Sequence, residues 1–110
     1  MKGKDLEMND EELERALQSV GKACFIRHVS IFTDILIDDG TAIERLKAAS
    51  HWSEAGCKIR VSHAHRIVRS GKTRLAVEKI AGSRLSSEDI ALARQWLSSE
   101  MLRSAEVKRS

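Results

Sequence analysis

Ser53-Glu54-Ala55-Gly56-Cys57-Lys58-Ile59-Arg60-Val61-Ser62-His63-Ala64-His65-Arg66-Ile67-Val68-Arg69-Ser70-Gly71 reads as one amphipathic helix with its own start and stop signals. Ser53 is a residue type that caps helix N-termini, and Glu54 sets a negative charge at the positive end of the helix dipole. Cys57, Val61, Ala64 and Val68 then recur at spacings of 4, 3 and 4. At about 100° per residue they share one arc, which predicts a helix over 54–69 with these four facing a core. Lys58, Ser62, His65, Arg66 and Arg69 fall on the opposite side, with Ile59 and His63 at its edge. Ser70-Gly71 is a stop signal, with Arg69 near the negative end of the dipole.

The same patterns extend outward. Upstream, Thr41 followed by Glu44 fits a capping box after Gly40, and Ile43, Leu46 and Ala49 or Ser50 supply an inner face for a short helix ending near Ser50 to Trp52. Before it, residues 34–40 read as a loop that tucks Ile35, Leu36 and Ile37 inward, while Asp34, Asp38 and Asp39 keep it soluble. Asn9, with Asp10, Glu11 and Glu12 behind it, opens a first helix. Leu13, Leu17, Val20 and Cys24 follow on one face, and Phe25, Val29 and Phe32 continue the stripe, with a break allowed at Gly21. Downstream, residues 73–81 predict a helix buried through Leu75, Ala76 and Ile80 and ended by Gly82. Ser86 and Asp89 then cap a last helix with Ile90, Ala93, Leu97 and Met101 on one face, ending near Leu102 or Arg103.

The expected architecture is therefore all-α: a compact bundle of about five helices in one domain over 9–103, with a disordered stretch at 1–8 and a frayed end at 104–110. Composition agrees. The 110 residues contain no proline, six glycines and no tyrosine, which removes helix breakers and the aromatics that β-rich domains use. No apolar run approaches the roughly 20 residues that span a bilayer. The segment Met1-Lys2-Gly3-Lys4-Asp5 lacks the apolar core of a signal peptide, and the two cysteines are not a disulfide framework. The expectation is a cytoplasmic chain with reduced thiols and no membrane partner.

Charge is distributed unevenly. Residues 1–54 carry a net −4, residues 86–110 balance, and residues 55–85 hold Lys58, Arg60, Arg66, Arg69, Lys72, Arg74, Lys79 and Arg84 against Glu78 alone, net +7. Such a block is the footprint of an anionic partner, or else a solvated face answered by the acidic N-terminal helix. A short helix, the turn at Ser50-His51-Trp52-Ser53 and a longer basic helix together resemble helix-turn-helix DNA-binding domains over residues 41–70. Ala48 or Ala49 supplies the small residue in the first helix, Trp52 a plug beneath the turn, and the turn has no glycine. The resemblance implies that the second helix lies in the major groove of double-stranded DNA, and a sequence-specific reader of this kind is expected to be a dimer. Lys58, Arg66 and Arg69 then pair with phosphates or guanine acceptors, Ser62 and His65 make short hydrogen bonds, and Arg60, Lys72 and Arg74 extend the phosphate grip. The expected function is a small DNA-binding regulator or accessory factor. The rival is a helical adaptor or inhibitor whose basic face docks an acidic protein.

No enzyme chemistry is expected, and no cofactor. Ser70-Gly71-Lys72-Thr73 resembles the end of a phosphate-binding loop, but Arg66 stands where that motif needs glycine. His51, Cys57, His63 and His65 lack paired zinc-ligand spacing. Cys24 and Cys57 sit on apolar stripes and read as inert thiols. Trp96, Met101 and Leu102 read as core or, second to that, as a partner surface, and a dimer contact is expected from the acidic first helix or from the Trp96 helix.

Overall fold

Asn9 begins the fold as the capping chemistry requires. In the computed structural model, which describes the backbone of residues 8–109 and the side chains of 8–102, its side chain accepts from the Glu12 amide at 2.7 Å. Glu12 reaches back to the Asn9 amide at 3.0 Å, completing a capping box. The helix that follows, α1 (Asp10–Val20), buries Leu13, Ala16, Leu17 and Val20. It stops at Gly21, whose φ of 92° and ψ of 125° favour a residue without Cβ.

Among the described residues the chain forms seven helices, not five. The continuous stripe expected after Gly21 is cut into α2 (Lys22–Arg27) and α3 (Val29–Phe32), which bury Cys24, Phe25, Ile26 and Phe32. Next come α4 (Asp39–Ala49), α5 (Glu54–Arg69), α6 (Thr73–Ala81) and α7 (Ser87–Arg109). The expected loop at 34–40 is shorter than read, because Asp38, not Thr41, caps α4: its carboxylate accepts from the Thr41 amide at 2.8 Å. Ile35 and Leu36 do not tuck inward. They stand 88% and 90% exposed, and only Ile37 packs on the core.

α5 has the expected bounds and is the centre of the assembly. Ser53 caps it through the Gly56 amide at 3.1 Å. Its end is a Schellman motif: the Gly71 amide donates to the Val68 carbonyl at 3.0 Å and the Lys72 amide to the Ile67 carbonyl at 3.1 Å, with Gly71 at φ 76°. α1 packs along one flank of α5 and α4 along the other. Double-sided packing widens the buried arc beyond the stripe expected from the sequence. Cys57, Val61 and Ala64 are buried as expected, and so are Ile67 and His65, while Val68 is half-buried. On α6, Val77 takes the buried place expected of Leu75, which is 38% exposed.

α7 begins as expected, with the Asp89 amide donating to Ser86 Oγ at 3.2 Å, but continues to Arg109. α6 and α2 cover its first half and bury Ala93. Of the two readings of Met101 and Leu102, core or partner surface, burial is not met: they are 60% and 68% exposed. The side chains beyond Leu102 and residues 1–7 lie outside the described residues, and with them nearly all of the expected disordered stretch and the side chains of the frayed end. The Cα radius of gyration, 14.1 Å, is near the ~13 Å of a compact chain of this length. No helix among the described residues is long and apolar enough to cross a membrane.

Gly21 gives the first testable consequence. A Cβ there would lie 3.5 Å from Arg60 Nη1 and 3.7 Å from Cys24 Cβ, so space is adequate and the strain is in the backbone. Gly21→Ala should lower stability by about 1–3 kcal/mol in urea denaturation. A loss no larger than a few tenths would mean that the α1–α2 break does not need that dihedral.

Candidate nucleic-acid interface

The eight residues expected to contact nucleic acid separate into three groups. Lys58, Ser62, Arg66 and Arg69 lie on the outer strip of α5, all exposed, with Ile59 (55% exposed) between them. Their spacings of four and three keep them on one side of the helix. Lys72 and Arg74 continue past the α5–α6 turn, Lys72 half-buried and Arg74 exposed.

Arg60 and His65 face inward, against the expected phosphate and base contacts. Arg60 Nη1 donates to the Val20 carbonyl, one of the unpaired acceptors at the end of α1, at 2.6 Å. Its guanidinium carbon lies 4.1 Å from the Trp52 ring centroid, a cation–π contact. Its Nε is enclosed without an acceptor among the described residues. Arg60 thus joins the end of α1 to the turn before α5. His65 is 5% exposed, and its Nδ1 lies 2.7 Å from Asp39 Oδ1, tying the middle of α5 to the first residue of α4. A wheel centred on Cys57, Val61 and Ala64 places His65 outside, whereas α4 covers that flank. The His65 hydrogen bond, reinforced by Arg69, holds the Asp39 carboxyl below its usual range.

Carboxylates flank the basic strip. Arg69 Nη2 donates to Asp39 Oδ1 at 3.0 Å, Arg66 Nη2 lies 3.6 Å from Glu12 Oε2, and Lys58 Nζ lies 3.8 Å from Glu54. Arg74 pairs with Glu78 one turn along α6 at 3.5 Å. Lys79, also in the basic block, meets both Asp10 at 3.1 Å and Glu14 at 2.8 Å on α1. The acidic N-terminal helix therefore answers part of the +7 block directly. These pairs are mostly exposed, where an ion pair contributes about 0–1 kcal/mol and its partner exchanges readily.

The sequence reading passed over Arg15 and Ser19, and placed His63 only at the edge of the polar face of α5. Arg15, Ser19 and His63 come together in the structure. With Glu12, Ala16 and Arg66 they line a groove of about 350 Å³ between α1 and α5. Arg15 and Ser19 are one helical turn apart on the polar face of α1, a pattern that carries no signal until α5 is set beside it.

The thiols lie in the interior. Cys24 is 5% exposed and burial pushes its thiol up to about 11, with Arg60 pulling the other way. Cys57 is fully buried, its Sγ 3.9 Å from Ser50 Oγ and 3.9 Å from the Trp52 carbonyl oxygen. Neither is a poised nucleophile. Set against known proteins, the chain matches no family model, no curated protein and no solved structure, so the functional reading rests on its own geometry.

Proposed function

We propose that this domain binds double-stranded DNA, with α4, the turn at residues 50–53 and α5 acting as a helix-turn-helix-like unit and α5 as the helix that meets the major groove. It acts as a small regulator or accessory factor in the cytoplasm, and has no catalytic role. The observation that carries the reading is the outer strip of α5, where Lys58, Ser62, Arg66 and Arg69 share one exposed face while the opposite face is fixed in the core. A helix held on two flanks is a rigid support for side chains that must meet base edges and phosphates in register.

Binding replaces carboxylates by phosphates. Arg66 and Arg69 exchange Glu12 and Asp39 for backbone phosphates, at a small cost because the displaced pairs are exposed. Lys58 and Ser62 work from the N-terminal half of the strip, and Lys72 and Arg74 extend the grip past the turn. Arg60 and His65 hold α5 in place and do not touch DNA. A second copy docks through the exposed Met101 and Leu102 of α7, since α1 already spends its apolar face on α5.

The test is titration against a random-sequence duplex by fluorescence anisotropy at two salt concentrations. Micromolar binding is expected at low salt, weakening with a log–log slope of about −0.9 per phosphate neutralised. Arg66→Gln/Arg69→Gln should weaken it by roughly 10–100-fold and flatten the slope by about two. Glutamine is preferred to glutamate because a reversed charge would confront Glu12 and Asp39 and disturb the fold. Unchanged affinity removes the strip from the site.

One observation favours a protein partner instead. Ile35 and Leu36 stand almost wholly exposed in the turn before α4, and Ile59 sits within the basic strip. Exposed aliphatics beside charges suit an interface with an acidic protein. Absence of duplex binding at low salt selects that reading.

A further inference from the structure

We infer that the groove between α1 and α5 is a phosphate-binding site formed by Arg15, Ser19, His63 and Arg66. Its volume, about 350 Å³, lies at the small end of the range of small-molecule sites. Ala16, 3% exposed, lies at its base, and a methyl there leaves the space open. Four side chains with hydrogen-bond donors line it, from two helices that pack firmly on each other.

Three of the four donors are also uncommitted. Among the described residues, Arg15, Ser19 and His63 have no side-chain hydrogen bond or ion pair. That contrasts with Arg27, Arg45, Lys47, Arg69 and Lys79, each paired with a carboxylate. Glu12, the one carboxylate in the groove, is already engaged: one oxygen accepts from the Asn9 amide at 3.0 Å, and the other meets Arg66 at 3.6 Å. Most of the Arg66 guanidinium therefore remains available. Two guanidiniums with a hydroxyl and an imidazole beside them match the oxygens of a phosphate, which planar guanidinium forks bind in pairs. The groove has room for more than the anion, so a small phosphorylated molecule of nucleoside monophosphate size fits. A phosphate of the DNA backbone offers the same chemistry, because Arg66 borders both the groove and the outer strip. The inference does not depend on DNA binding.

The experiment is NMR titration of the isotope-labelled full chain with inorganic phosphate and with adenosine monophosphate. Saturable shifts confined to the amides around residues 15–19 and 63–66 are expected, with affinity about tenfold weaker in Arg15→Gln and unchanged in Arg94→Gln, a remote control on α7. Both positions are exposed, and matching thermal melts establish that both variants fold. Shifts scattered over every basic residue, or an Arg15→Gln variant that binds as well as the parent, would overturn the site. A parallel duplex titration identifies the source: Arg15→Gln weakens duplex binding if the groove holds the DNA backbone, and leaves it intact if it holds a free phosphorylated molecule. A parent chain that ignores duplex but binds phosphate locally refutes the DNA reading and keeps this one.

Discussion

Replacing Phe25 with alanine should remove about 3–5 kcal/mol of folding stability, the largest effect of any single change considered for this domain. Phe25 is fully buried, and its ring stacks on Phe32 with centroids 5.7 Å apart. It sits on α2, a helix of six residues that touches α1, α3, α6 and α7. So short a helix has little stability of its own and depends on packing. Removing the ring opens a cavity where these elements meet, and the neighbours cannot all move in to fill it. A domain of ordinary stability has about 5–15 kcal/mol in total, so the melting temperature should fall by on the order of 15–25 °C. Guanidinium denaturation followed by the fluorescence of Trp52 and Trp96 would measure the change. A loss below about 1 kcal/mol would show that the ring does not lie in a closed core.

Asp89 should give a second large effect on stability, and one that depends on pH. Its side chain is 3% exposed and accepts from Arg27 twice, at 2.8 Å from Nε and 3.0 Å from Nη2, joining the last turn of α2 to the first turn of α7. The Arg27 hydrogen bond, followed by that of Ser86, holds the Asp89 carboxyl below its ordinary 3.8. Asp89→Asn keeps the shape, but sets an amide donor against a guanidinium, and should cost about 1–3 kcal/mol at neutral pH. A depressed folded pKa means that the unfolded chain binds more protons in the window below about pH 4. Stability is therefore present above that window and lost as pH falls through it. Asp39 acts in the same sense through His65. The gap between parent and Asp89→Asn should accordingly narrow as pH falls below about 4, where the unfolded parent takes up a proton that the folded chain resists. A gap that stays constant from pH 7 to 3 would mean that the charge on Asp89 does not matter.

What the sequence made legible depended on how local the cause was. Caps act within one turn, so Asn9, Ser53 and Ser86 could be read, and the bounds of α5 with them, while those of α6 followed from its apolar residues and Gly82. The cap of α4 was misread because Thr41, itself a capping residue type, was taken as the cap, whereas the Asp38 carboxylate three residues earlier accepts from the Thr41 amide. The division of 22–32 into two short helices was not legible, since its apolar residues keep helical spacing across His28. The chemistry of α5 turned on which flanks were covered. Periodicity found Cys57, Val61 and Ala64, but not that α4 would enclose His65 or that α1 would draw Arg60 inward. The charge block was plain in the sequence. The carboxylates from α1 and α4 that answer it, and the groove in which Arg15 pairs with none among the described residues, emerge only once helices distant in sequence lie side by side.

The α1–α5 contact also bears on how the chain folds as it is made. Arg60 reaches back 40 residues to the end of α1, and the buried face of that helix rests mainly on α5. Contacts of long sequence separation close large loops and slow folding. While the chain is being synthesised from its N-terminus, Leu13, Leu17 and Val20 have little beyond the short α2 to cover them until α5 has emerged. Partly made chains therefore present an apolar helix to their surroundings for as long as it takes to complete the first two thirds of the domain, and that interval is when aggregation or capture by a chaperone competes with folding.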